Sequence, residues 1–143
     1  MQKVLFDEGA FQITIIKEGV HIRLRSDPVE TYSERSEDEI MDDYLKVFTN
    51  MFVEAKQKKE IVKIWADLKD APMFNIKIIK KHIKCLRELE SFQETLGCTA
   101  VLLYGPISTM LFKLFMKMYG KPLKPLKICK TKAEVVTFLN SIR

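Results

Sequence analysis

The sequence predicts an α/β fold: one mixed β-sheet, opened by an N-terminal hairpin and continued by parallel strands, with about four helices packed against it. Three observations carry this. Apolar residues alternate with period two on both sides of Lys17-Glu18-Gly19. Further on, segments of helical period alternate with short runs rich in β-branched residues. The helical segments also carry recognisable start or stop residues. At 143 residues the chain has the size of a single domain, residues 1–143, with no linker, repeat or low-complexity segment.

The first elements are strands. Val4 to Phe6 is a short one. Phe11, Ile13 and Ile15 then alternate with Gln12 and Thr14, and Val20, Ile22 and Leu24 with His21, Arg23 and Arg25. This is the pattern of a hairpin with one face buried, in which Gly19 supplies a positive φ at the turn. Ser26 to Arg35 is polar, contains Pro28 and reads as a loop. Ser36 with Glu39 three residues later forms a capping box ahead of Ile40, Tyr44, Val47, Phe48, Met51 and Ala55. Acidic residues open this helix and lysines close it, as the helix dipole favours.

Ile61 to Leu68 (IVKIWADL) reads as a buried strand, broken by Lys69-Asp70-Ala71-Pro72. Asn75 is placed to cap a second helix, with Ile76, Ile79, Ile83, Leu86, Leu89, Phe92 and Leu96 as its apolar stripe and Gly97 as its stop. Cys98 to Tyr104 is the next strand. Pro106 suits the first position of a third helix that Gly120 ends. Leu126 to Cys129 is a last strand, and Thr131 caps a final helix carrying Val135, Phe138, Leu139 and Ile142.

Composition narrows the function classes. Hydrophobic residues make up 47% and charged residues 30%, a globular balance. The net charge of +5 favours weak attraction to anions. The 3 cysteines, Cys85, Cys98 and Cys129, lie far apart in apolar segments without CxxC spacing. Free buried thiols in a reducing, cytoplasmic compartment are the expectation, with neither disulfides nor zinc. The N-terminus lacks the apolar stretch of a signal peptide, and no run is long enough to span a bilayer.

Catalytic patterns are missing. The 2 histidines, His21 and His82, have no ligand-spaced partners, and the 5 glycines are scattered singly. No metal, no cofactor and no enzymatic activity are expected. Asp67 and Asp70 lie near the carboxyl end of a central strand, where α/β sheets often bind ligands. With Asn75 they form a possible ligand-end loop, and a purely structural turn is the alternative.

Two surface features are less ordinary. In the third helix the polar stripe is narrow: Thr109, Lys113 and Lys117. Leu111, Phe115 and Met118 face the core, while Met110, Phe112, Met116 and Tyr119 flank the stripe. Either neighbouring elements cover those flanks, or they form an apolar contact patch, rimmed by lysine, for a partner or lipid. The second feature is charge. No acidic residue occurs between Glu94 and Glu134, a stretch holding Lys113, Lys117, Lys121, Lys124, Lys127, Lys130 and Lys132. Lys77, Lys80 and Lys81 also crowd the start of the second helix, against the dipole preference. Aromatic interleaving for base stacking is thin, so nucleic acid is not an expected partner.

The order of elements, with the strand Ile61-Val62-Lys63-Ile64-Trp65-Ala66-Asp67-Leu68 followed by a helix opening near Asn75, resembles the STAS family of sulphate-transporter and anti-sigma-factor-antagonist domains. The likeness runs from Phe11 to Arg143. It implies a small non-enzymatic domain that binds other proteins and sometimes nucleotides or lipids. Antagonists of that family place a phosphorylatable serine at the start of the helix after the strand. Here Asn75 falls near the family's aspartate, and no serine or threonine follows in Ile76-Lys77-Ile78. Two functions are therefore expected. One is a protein-interaction or self-associating module without a phosphoserine switch. The other is a small-molecule or lipid-binding domain contacting anionic membrane surfaces.

Overall fold

The computed structural model describes residues 2–29, 35–68, 76–103, 105–122 and 124–142. The protein is α/β, with one mixed sheet and helices on both of its faces. The strands are β1 (Lys3–Ile16), β2 (Gly19–Val29), β3 (Val62–Asp67), β4 (Leu96–Leu102) and β5 (Leu126–Cys129). The helices are α1 (Glu37–Gln57), α2 (Ile76–Glu88), α3 (Pro106–Tyr119) and α4 (Lys132–Ser141). A 3₁₀ turn, Leu89–Phe92, follows α2.

The spatial order of the strands equals their sequence order. β1 and β2 pair antiparallel, and every later neighbour pairs parallel. Each parallel step moves the same way across the sheet. Right-handed crossovers that all step one way lay their helices on one face. Accordingly α1 and α2 pack against Phe11, Ile13, Ile22 and Leu24, and α3 packs against Val101 and Leu126 on that same face. α4, which follows the last strand, covers the other face through Val135 and Leu139 against Trp65, Cys98, Ala100 and Cys129. Lys63 secures it there, donating to the carbonyls of Leu139 (2.7 Å) and Ile142 (2.5 Å) at the negative end of the helix.

The caps follow the sequence signals. Ser36 Oγ accepts from the amide of Glu39 at 3.2 Å, and Thr131 Oγ1 from that of Glu134 at 3.2 Å. Pro106 opens α3, and Gly120 closes it at φ 102° with its amide on the Met116 carbonyl, 2.9 Å. Lys77 and Lys81, misplaced for the dipole of their own helix, meet carboxylates of α1. Lys77 lies 2.5 Å from Asp38, and Lys81 2.9 Å from Asp42. Their position is explained by the neighbouring helix.

Several boundaries differ from expectation. Val4 to Phe6 belongs to one long β1, and β2 runs on to Val29 where a loop was expected. The two are joined by a register jump, with Gly9 opposite Val29 and Phe11 opposite Leu24. Gly9 takes φ +56°, which supplies the bulge, and Pro28 sits within the irregular stretch where a missing N–H is tolerated. Leu96 and Gly97 belong to β4 and do not end α2, which gives way to the 3₁₀ turn nine residues earlier than a stop at Gly97 implies. Ile15 is 36% exposed at the turn end of the edge strand, whereas Thr14 is buried.

Gly19 lies at φ +149°, and a Cβ there would stand 2.3 Å from the Lys63 carbonyl oxygen. Backbone freedom and close approach of β3 therefore act at one position. We expect Gly19→Ala to destabilise the fold by more than about 1 kcal/mol in urea unfolding. A variant as stable as the parent would show that β2 and β3 do not approach this closely. Phe112 is buried and Met110 is 61% exposed. Phe112→Ser should cost about 3–5 kcal/mol or more, and Met110→Ser close to nothing, by the same measurement.

Candidate functional site

Between the three-helix face and the sheet lies an apolar cavity of about 190 Å³. Its floor is formed by Ile22, Leu24, Ile64, Ala66, Thr99 and Val101, which point to one side because strand side chains alternate. α1 supplies Tyr44, Phe48 and Phe52, and α2 supplies Ile79, His82 and Cys85. Phe112, Phe115, Met116 and Tyr119 of α3 close the remaining side. The rings of Phe112, Phe115 and Tyr119 stack in sequence, with centroids 5.9 and 5.8 Å apart. Such a space, lined with large apolar groups, suits an apolar guest.

This arrangement corrects the expected patch on α3. Phe112 is not on an exposed flank: it is buried against Val101 and Leu103. Met116 and Tyr119 are half-buried on the cavity side. Met110, Lys113 and Lys117 are exposed as expected, joined by Leu114 at 37% exposure. The helix is thus turned by roughly a quarter-turn from the projected orientation. Apolar residues surround most of α3, so periodicity alone did not select a buried face. The aromatic rings occupy it because they reach across the gap above β4 and β5.

The polar groups deepest in the cavity satisfy one another. His82 Nδ1 lies 2.9 Å from the Ile78 carbonyl and must carry its proton to donate there. Nε2 is then an acceptor, and the Tyr44 hydroxyl, 3.1 Å away, donates to it. Burial pushes the Tyr44 phenol up and the His82 imidazole down, so both stay neutral. Cys85, beside Thr49, is likewise held as a thiol by burial. The pair is neutral and mutually bonded, so it places no charge in the cavity wall.

Of the expected carboxyl-end loop, Asp67 alone falls within the described residues. Asp67 is 5% exposed and lies on the opposite face of the sheet from the cavity. Its Oδ2 meets His21 Nε2 at 3.0 Å, and the His21 ring lies 4.7 Å from that of Trp65. A buried carboxylate requires such a partner. Asp70 and Asn75 lie outside the described residues. A carboxyl-end crevice arises where strand order reverses. This order never reverses.

Sequence reading did not single out Gln93 and Lys124, both in the cavity lining. Gln93 Oε1 is sealed from solvent with no hydrogen-bond partner among the described residues. Among the lysines of the acid-free stretch, Lys113, Lys117, Lys121, Lys127, Lys130 and Lys132 are exposed, and Lys124 is half-buried. The lysine run was visible in the sequence, but which member turned inward was not. Among the described residues, no three His, Cys, Asp or Glu side chains gather as a metal site, and no helix is long and apolar enough to cross a membrane.

Because His82 is held below its unfolded value of about 6.5, the unfolded chain takes up a proton that the folded chain refuses. Stability should therefore fall as pH drops below about 6.5, down to the depressed folded value, by up to about 1.4 kcal/mol per pH unit. Urea unfolding at successive pH values checks this. His82→Gln should flatten that limb, and an identical profile in the variant would contradict it.

No protein-family model, no curated protein and no solved structure matches this chain, so no relative assigns the cavity an occupant.

Proposed function

We propose that this protein is a non-enzymatic binding domain that holds a small apolar or lipid-derived molecule between its sheet and α1–α3. The observation that carries this is the cavity of about 190 Å³, walled by aromatic and aliphatic side chains from four strands and three helices. For comparison, an apolar cavity of roughly 150 Å³ stays dry and takes up benzene. Filling such a space adds dispersion contacts and removes apolar ligand surface from water. The neutral Tyr44–His82 pair fits binding without chemistry.

The outer side of α3 supports contact with anionic membrane surfaces, from which such a ligand would be drawn. Met110 and Leu114 are exposed beside Lys113 and Lys117. Apolar side chains that enter the interface beside lysines that meet anionic headgroups make a salt-sensitive membrane contact. The same ridge supports a second reading, a protein-interaction or self-associating module that works without a phosphoserine switch.

Native mass spectrometry of the purified protein should show an adduct that dissociates on unfolding. Cys85 lines the cavity, while Cys98 and Cys129 pack under α4. A bound guest should therefore slow modification of Cys85 by methyl methanethiosulfonate and leave the other two thiols unaffected. Equal effects on all three would point to general stabilisation. Co-sedimentation should be stronger with phosphatidylserine vesicles than with phosphatidylcholine vesicles, and weaker in high salt or after Met110→Ser with Leu114→Ser. Indifference to vesicles, together with capture of a specific protein through the same two residues, would favour the interaction module.

A further inference from the structure

We infer that the cavity selects a medium-chain monocarboxylate, its tail among the apolar side chains and its carboxylate between Gln93 and Lys124. This rests on the cavity-binding reading above and adds the identity and position of the ligand's head. The two residues come together through topology. Gln93 precedes β4 and Lys124 precedes β5. β4 and β5 are parallel neighbours, so the turns that lead into them both lie at the amino-terminal edge of the sheet, with β5 beginning opposite Thr99, the fourth residue of β4. Both side chains line the cavity.

Their chemistry specifies an anion. Among the described residues lining the cavity, Lys124 carries the only charge at neutral pH, and none is a carboxylate. A cationic head would therefore be repelled, and a fully apolar guest would leave the Gln93 amide unanswered. The sealed oxygen of Gln93 has no hydrogen-bond partner among the described residues, a costly state that rotation of the side chain toward a ligand atom would relieve. A half-turn about Cγ–Cδ exchanges the oxygen and nitrogen of that amide without changing its shape. The same position can thus present N–H to a carboxylate oxygen while the Lys124 ammonium donates to the other. The volume sets the tail length. If roughly 150 Å³ houses a six-carbon ring, about 190 Å³ houses a chain of about six to eight carbons.

Calorimetric titration of the full chain with octanoate, 1-octanol and octylamine tests this. Octanoate should bind about tenfold or more tightly than octanol, and octylamine weakest of the three. Lys124→Met should weaken octanoate by about tenfold and leave octanol unchanged, while Lys121→Met, an exposed neighbour, should alter neither. Gln93→Leu, which removes the buried amide, should also lower octanoate affinity selectively. Circular dichroism and urea unfolding establish that each variant is folded before it is titrated. Equal binding of octanoate and octanol, or octanoate affinity that survives both Lys124→Met and Gln93→Leu, would overturn the head-group assignment with the cavity reading intact. Failure of all three compounds to bind would overturn the cavity reading itself.

Discussion

The handedness of the crossover connections shapes everything else in this molecule. A strand that returns parallel through a helix does so right-handed, and here every return steps in the same direction. Three helices are thereby committed to one face, and among the described residues the other face receives only the helix that follows the last strand. α1 and α2 press on the β1–β3 side of the shared face, and α3 stands over the β4–β5 side. The cavity lies where these two packing units meet above the sheet.

The same arrangement bears on where the cavity lies. In open α/β sheets, the crevice at the carboxyl ends comes from a reversal of strand order. Here the order of the strands does not reverse. Asp67, although it ends β3, is drawn into a His21–Asp67 pair beside Trp65 on the far face. The polar groups that look into the cavity come instead from the turns entering β4 and β5, and from the Tyr44–His82 pair between α1 and α2. A guest held there would be enclosed between layers, which suits binding better than turnover.

The two faces of α3 link the inside of the cavity to the surface. Phe112, Phe115 and Tyr119 stack toward the sheet, while Met110 and Leu114 remain outside among lysines. A helix apolar nearly all round is usually buried nearly all round. This one is not, because only α2 stands beside it on that face, and the first helix is two strands away. Its outward apolar residues are the physical basis for the proposed contact with a membrane or a protein surface.

Local signals determined much of this fold. The period-two runs specified the hairpin, the Ser36 and Thr131 caps specified two helix starts, and Gly120 specified a helix end, because each depends only on residues within one turn or one strand pair. The inward position of the three cysteines was legible for the same reason: each sits at an apolar register position. Tertiary structure decided the rest. Gly97 has the chemistry of a helix stop, yet it lies in β4, at the register shift between the Val62–Leu96 and Lys63–Cys98 pairs, where a Cβ would stand 2.7 Å from Ile61. Phe112 was indistinguishable from Met110 on a helical projection, and only the sheet beneath α3 separates the buried ring from the exposed thioether. Lys124 belongs to a run of lysines that share one composition. It turns inward because the chain must enter β5 beside β4, a consequence of strand order that no local pattern of charge encodes.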